Sequence, residues 1–152
     1  MKKYLLTLLV LCNVLVTPLV QAQTDKPPAV ANSAELYRAL GGKDSIARLM
    51  NDFVEILVAD PRIAQLFKDT KLKNLKEQLT DQICKLTGGP CKYEGDAMRA
   101  VHEDLGITAA HFNALVEDLQ HAMDQHAIGF GTQSRLLALL APMHRDIIKP
   151  AR

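Results

Sequence analysis

Tryptophan is absent from this 152-residue chain, and only three tyrosines and four phenylalanines supply its aromatic side chains. The interior must therefore be mostly aliphatic, with few bulky rings to fill a large gap. Net charge is equally scarce, since 18 Lys and Arg face 17 Asp and Glu. Without a basic excess the chain lacks the footprint that nucleic acid requires. It contains no Gly-x-Gly-x-x-Gly, no phosphate loop, no His-Glu-x-x-His and no Gly-x-Ser-x-Gly, so the common local enzyme signatures are missing. No stretch alternates apolar and polar residues, which argues against strands, and no internal repeat or low-complexity tract occurs.

What is present begins with an export signal. Lys2 and Lys3 precede an apolar run over residues 4–20 that only Thr7, Asn13, Thr17 and Pro18 interrupt, and Val20-Gln21-Ala22 offers a cleavage site. Residues 1–22 read as a signal peptide. The rival reading is an uncleaved membrane anchor, but Pro18 and the Val-Gln-Ala end favour cleavage. Residues 23–32, with Lys26-Pro27-Pro28-Ala29, read as a flexible tether, and residues 33–149 as one domain long enough to bury a single core. Loss of Lys2 and Lys3 leaves 16 basic residues against 17 acidic ones. The mature domain is expected to be periplasmic or secreted and to have no membrane or nucleic-acid partner.

Cleavage removes Cys12 and leaves Cys84 and Cys91. In an oxidising compartment these two, on either side of Gly88-Gly89-Pro90, are candidates for a disulfide worth about 2–3 kcal/mol in the chain-entropy model. The alternative is two half-buried free thiols.

Apolar periodicity predicts an all-α domain. A short helix over residues 34–40 is capped by Ser33 and ended by Gly41-Gly42. A second, capped by Asp44, covers 45–59 and turns Ile46, Met50, Phe53, Val54, Leu57 and Val58 inward. Pro61 starts a short piece leading to Leu66 and Phe67. Thr70 opens a fourth, with Leu72, Leu75, Leu79, Ile83 and Leu86 as its stripe. A short segment surrounds His102. Thr108 caps a long helix burying Phe112, Leu115, Val116, Leu119 and Met123. After a break at 127–131, Thr132 caps a last helix carrying Leu136, Leu139, Leu140, Met143 and Ile147. Periodicity alone leaves a four-helix bundle and a sandwich of two helix pairs both open.

Chemistry rests on the histidines, all in the last third: His102, His111, His121, His126 and His144. His102 is distinguished by its setting, a short helix between a glycine-rich loop and a long amphipathic helix. A neutral imidazole braced on such a helix is what iron in a porphyrin needs as an axial ligand. Leu36-Tyr37-Arg38-Ala39-Leu40-Gly41-Gly42, Gly88-Gly89-Pro90, Tyr93-Glu94-Gly95 and Met98…His102…Gly106-Ile107-Thr108…His111-Phe112 follow in that order. In this order and spacing they resemble the group 1 truncated haemoglobins, from about residue 35 to residue 148.

That resemblance implies a two-over-two helical sandwich around haem b, with His102 as the proximal iron ligand and its second ring nitrogen bonded to a backbone carbonyl. It lays Phe67 flat on the porphyrin; read without it, Phe67 is core. Met98 belongs to the proximal wall. Tyr93, Lys71, Lys73, Lys76, Lys92 and Arg99 are candidates for the propionates, each otherwise a solvated side chain. Attachment of haem through cysteine is excluded, since no Cys-x-x-Cys-His occurs. His111 reads as solvated, and His121 and His126, five residues apart, share no helix face. His144 either covers the haem edge or favours a helix C-terminus.

The distal side departs from the family pattern. A tyrosine is usual after the phenylalanine of the second helix, but Val54 follows Phe53. Leu75 holds the gate position, and Leu79 stands where glutamine is frequent. The remaining hydrogen-bond donors are Gln78 and Gln82, a turn apart, with Gln82 the better placed. The expected function is reversible binding of oxygen, nitric oxide and carbon monoxide. The alternatives are nitric oxide dioxygenation, or peroxidase and nitrite-reducing chemistry, each needing an electron donor.

Overall fold

The computed structural model describes residues 33–148; the signal-peptide and tether expectations fall outside the described residues. Seven α-helices occur among the described residues: α1 (Ser33–Ala39), α2 (Gly42–Ala59), α3 (Leu72–Leu86), α4 (Met98–His102), α5 (Ala109–Gln125), α6 (Phe130–Leu140) and α7 (His144–Ile147). Two 3₁₀ turns, Ala64–Phe67 and Ala141–Met143, complete the path. There are no strands among the described residues, as the patterning predicts.

α2 is the hub, packing on α3 and α5, while α6 lies against α1 and α5. Its buried face carries Ile46, Leu49, Met50, Phe53, Val54 and Leu57 at helical spacing. All of these but Val54 meet Ile83 and Cys84 of α3, Leu119, Ala122 and Met123 of α5 and Leu136 of α6 in one core.

The helix ends differ from the expected caps in an instructive way. Gly41 and Gly42 are both left-handed, at φ 82° and 77°, so the chain turns sharply enough for α2 to begin at Gly42 and Asp44 to fall in its first turn. Lys71 rather than Thr70 precedes α3, and Gly129 rather than Thr132 precedes α6. Pro61 starts no helix; the 3₁₀ turn begins three residues later, at Ala64. The last expected helix is split, because Pro142 offers no N–H and crowds the preceding turn, so the chain passes through Ala141–Met143 before α7.

Two helices close in the same manner. At the end of α3, the Gly89 N–H donates to Cys84 O at 2.7 Å and the Gly88 N–H to Lys85 O at 3.1 Å. At the end of α5, the Ile128 N–H donates to Met123 O at 3.0 Å and the Ala127 N–H to Asp124 O at 2.9 Å. Both are Schellman closures, which need a left-handed residue after the cap. Gly88 supplies it at φ 83°, but at α5 the residue is Ala127, at φ 53°.

Candidate functional site

His102 ends α4, a helix of barely more than one turn, and is half-buried. Its Nδ1 lies 2.6 Å from the carbonyl oxygen of Met98, four residues earlier. A carbonyl only accepts, so Nδ1 must carry the proton, and Nε2 is left with its lone pair. In the neutral ring this arrangement fixes the tautomer and leaves Nε2 able to accept or to coordinate.

Met98 also faces the next layer. A cleft of about 250 Å³ opens between the end of α3, the loop after it and α4, lined by Gln82, Lys85, Tyr93, Met98 and Met143 among others. Gln82 is buried, at 8 % exposure. Its amide Nε2 lies 3.6 Å from Met98 Sδ and 3.9 Å from Met143 Sδ. Thioethers are weak acceptors, so this amide holds no strong partner and can be redirected at little cost. Gln78, one turn earlier, has its Oε1 buried without a hydrogen-bond partner. An orphaned polar atom of this kind costs about 1–3 kcal/mol unless something else completes it.

The structure therefore brings Gln82, Tyr93 and Met98 together at one cleft. Tyr93 is half-buried and its hydroxyl donates to Asp96 O at 3.4 Å. Burial, then the nearby Asp96 carboxylate, pushes its phenol above the usual range. Phe53 and Val54 are buried in α2, and Leu75, Gln78 and Leu79 are half-buried along α3. Phe67 packs against the core from the first 3₁₀ turn.

The basic candidates separate. Lys73 and Lys76 line a different groove, between α2 and α3, with Lys76 held by Glu55 and Asn51. Arg99 pairs with Asp146 at 3.2 Å. The lysine at the cleft is Lys85, which the sequence reading missed; it stands three residues after Gln82, and that helical spacing was the available signal. Met143 was missed as a site residue because the break at Pro142 re-aims it.

The other histidines have structural partners. His111 completes a capping box, its N–H donating to Thr108 Oγ1 at 3.2 Å while its Nδ1 accepts from the Thr108 N–H at 3.3 Å. His121 contacts Gln125, and His126 meets Asp52 Oδ2 at 2.8 Å, joining α5 to α2. The exposed His144 stacks edge-on against Phe112 with centroids 4.8 Å apart. Among the described residues, no group of three or more His, Cys, Asp or Glu side chains is arranged to hold a metal ion. No helix of the described residues is long and apolar enough to cross a membrane.

Comparison with known proteins bears on the fold and the family. The sequence profile of the bacterial-like globin family matches residues 35–149. The group 1 truncated haemoglobin of Tetrahymena pyriformis is 32% identical over 113 residues, covering 74% of this chain and 93% of the relative. That of Mycolicibacterium paratuberculosis is 28% identical over 117 residues, covering 77% and 86%. Among solved structures, the Fe(III) form of the T. pyriformis truncated haemoglobin superposes with a TM-score of 0.73 at 24% identity, covering 76% of this chain and 98% of that one. The two-over-two haemoglobin of Synechococcus sp. PCC 7002 gives 0.70 at 25% identity, covering 74% and 97%. The helices thus form the two-over-two sandwich, and the chain belongs to the bacterial-like globin family.

Proposed function

We propose that this protein is a haem protein that binds diatomic gases reversibly, with His102 as the proximal iron ligand. The observation that carries the reading is the 2.6 Å contact between His102 Nδ1 and Met98 O. By donating its Nδ1 proton there, the imidazole gains electron density and keeps Nε2 available for iron. The residues present fit the group. The cleft beside Met98 is mostly apolar, as a porphyrin face requires, and the Gln82 amide at its wall holds no strong partner.

Haem, when bound, supplies an iron with a position at which oxygen, nitric oxide or carbon monoxide attaches. The protein's own residues do the rest. Val54, Leu75 and Leu79 keep the opposite wall apolar and limit water. Gln82, and behind it Gln78, offer the amide donors that slow ligand escape in place of the absent tyrosine. Lys85 and Tyr93, at the edge of the cleft, suit the propionates.

Two further elements belong to this reading. Residues 1–22 direct export to the periplasm or medium, and Cys84 and Cys91 are joined there, their Cα atoms 5.8 Å apart, within the bridging range. The deciding experiment is haem uptake by the His102→Ala variant, which is expected to lose stoichiometric binding.

A further inference from the structure

The link between Cys84 and Cys91 does more than close a short loop, because of what lies on either side of it. Cys84 is fully buried in α3, two residues from Gln82. Its sulfur is hemmed in, since a Cβ built on Gly89 would stand 2.6 Å from Sγ. The Gly89 N–H also donates to its carbonyl at 2.7 Å. Cys91 sits in a segment of the opposite character. Between Pro90 and Asp96 there is no helix or strand, and no backbone hydrogen bond ties these residues to the rest of the described chain. The side-chain hydrogen bond within the segment, Tyr93 Oη to Asp96 O, is local. Yet the same segment supplies Tyr93, Gly95 and Asp96 to the cleft and leads directly into Met98 and α4.

We infer that the Cys84–Cys91 disulfide is a thiol-sensitive clamp on the haem site, and that its reduction loosens the 90–97 wall and speeds haem loss. The inference rests on the haem reading above. On reduction by a dithiol, the S–S bond breaks and two electrons and two protons are taken up to give two thiols. The reductant becomes a disulfide. Two thiols occupy more space than one bond, so a sulfur must withdraw. Cys84 cannot, being encased by its own helix, Gly89 and Tyr37. Cys91, half-buried at the margin of the core and tied by no backbone hydrogen bond of its own segment, is the sulfur that moves, and Tyr93 moves with it. Cys91 is the less buried of the two cysteines, so its sulfur is the point of attack. A protein in an oxidising compartment would then hold haem firmly and release it where thiols are plentiful.

The test uses the full domain in three forms: oxidised, dithiol-reduced, and Cys91→Ser. Two rates are measured: haem transfer to an excess of an apo-globin acceptor, and tryptic cleavage after Lys92 in the haem-free protein. Lys92 is exposed and adjoins Cys91, so cleavage there reports the loop independently of haem. Both rates are expected to rise about tenfold in the reduced and Cys91→Ser forms, which corresponds to ~1.4 kcal/mol. Reoxidation of the wild type should restore both. Equal haem-loss rates in all three forms overturn the clamp, whatever the proteolysis shows. Failure of the oxidised protein to take up haem overturns the haem reading itself, and the clamp with it.

Discussion

Gly89 lies against the face of Tyr37: a Cβ built on it would meet the Tyr37 ring and Cys84 Sγ at 2.6 Å. Tyr37 in turn bridges three parts of the fold. Its N–H donates to Thr87 O at 3.1 Å, and its hydroxyl accepts from the Lys43 N–H at 3.0 Å. Gly89→Ala is therefore expected to destabilise the domain by about 1–3 kcal/mol, as overpacking does. Thermal unfolding measures it, and an unchanged midpoint would show that the α1–α3 corner yields freely.

Ala127 offers the opposite opportunity. It occupies the left-handed position that Gly88 fills at the other Schellman closure, at φ 53°. Ala127→Gly should stabilise the domain by about 0.5–1 kcal/mol, since a side chain at that position is disfavoured and glycine is not. Urea unfolding reads the gain as a higher midpoint with the same slope.

Asp118 and Asp52 carry opposite pH linkages. Burial, then the neighbouring Asp60 carboxylate, pushes the Asp118 carboxyl above its ordinary 3.8, and its Oδ2 has no partner. The folded protein thus binds that proton more tightly than the unfolded chain. This contribution to stability falls as pH rises from 3.8 through the folded value. Asp118→Asn should raise the unfolding midpoint at neutral pH, with the advantage shrinking in acid.

At Asp52, the hydrogen bond from Asn51, then that from His126, holds the carboxyl below 3.8. Its contribution is present above that pH and is lost as pH falls through the folded value. Because the side chain is 48% exposed, Asp52→Asn should cost only about 0.2–1 kcal/mol at neutral pH and nothing in strong acid.

Gln82→Leu probes the distal wall. Removal of the amide from among Met98, Met143 and the cleft should speed oxygen dissociation severalfold or more in the haem-loaded protein, by loss of a donor worth about 1 kcal/mol or more. Stopped-flow displacement measures the rate. An unchanged rate would assign the donor to Gln78 or to no side chain.

Much of this was legible in the sequence, for identifiable reasons. Aliphatic periodicity gave α2 because its buried face is wide and aliphatic, with Ile46, Leu49, Met50, Phe53 and Leu57; on α3 the leucine stripe marks the helix but is only half-buried, and Thr80, Gln82, Ile83 and Cys84 are the buried positions. The Thr108 cap was readable because its partner, His111, is local in sequence. Where the outcome depended on distant geometry, reading failed. Lys73 and Lys76 are propionate candidates by charge and Lys85 of the same helix is not among them, but their places on its circumference send Lys73 and Lys76 to the α2–α3 groove and Lys85 to the cleft. The split of the final helix has a local signal in Pro142, which the continuous apolar stripe through Leu139, Leu140, Met143 and Ile147 masks. Asp118 and its burial against Asp60 and Arg62 carried no local signal, since the partners lie more than 50 residues away in sequence.

The central claim is that His102, its tautomer fixed by Met98, binds haem iron. The most direct measurement is the absorption spectrum of the domain from Gln23 onward, mixed with haem in ferric and ferrous forms, for the wild type and His102→Ala. The expected result is a sharp stoichiometric haem band in the wild type, a ferrous form that takes up carbon monoxide reversibly, and loss of stoichiometric haem in the variant. A variant that keeps the wild-type spectrum would contradict it.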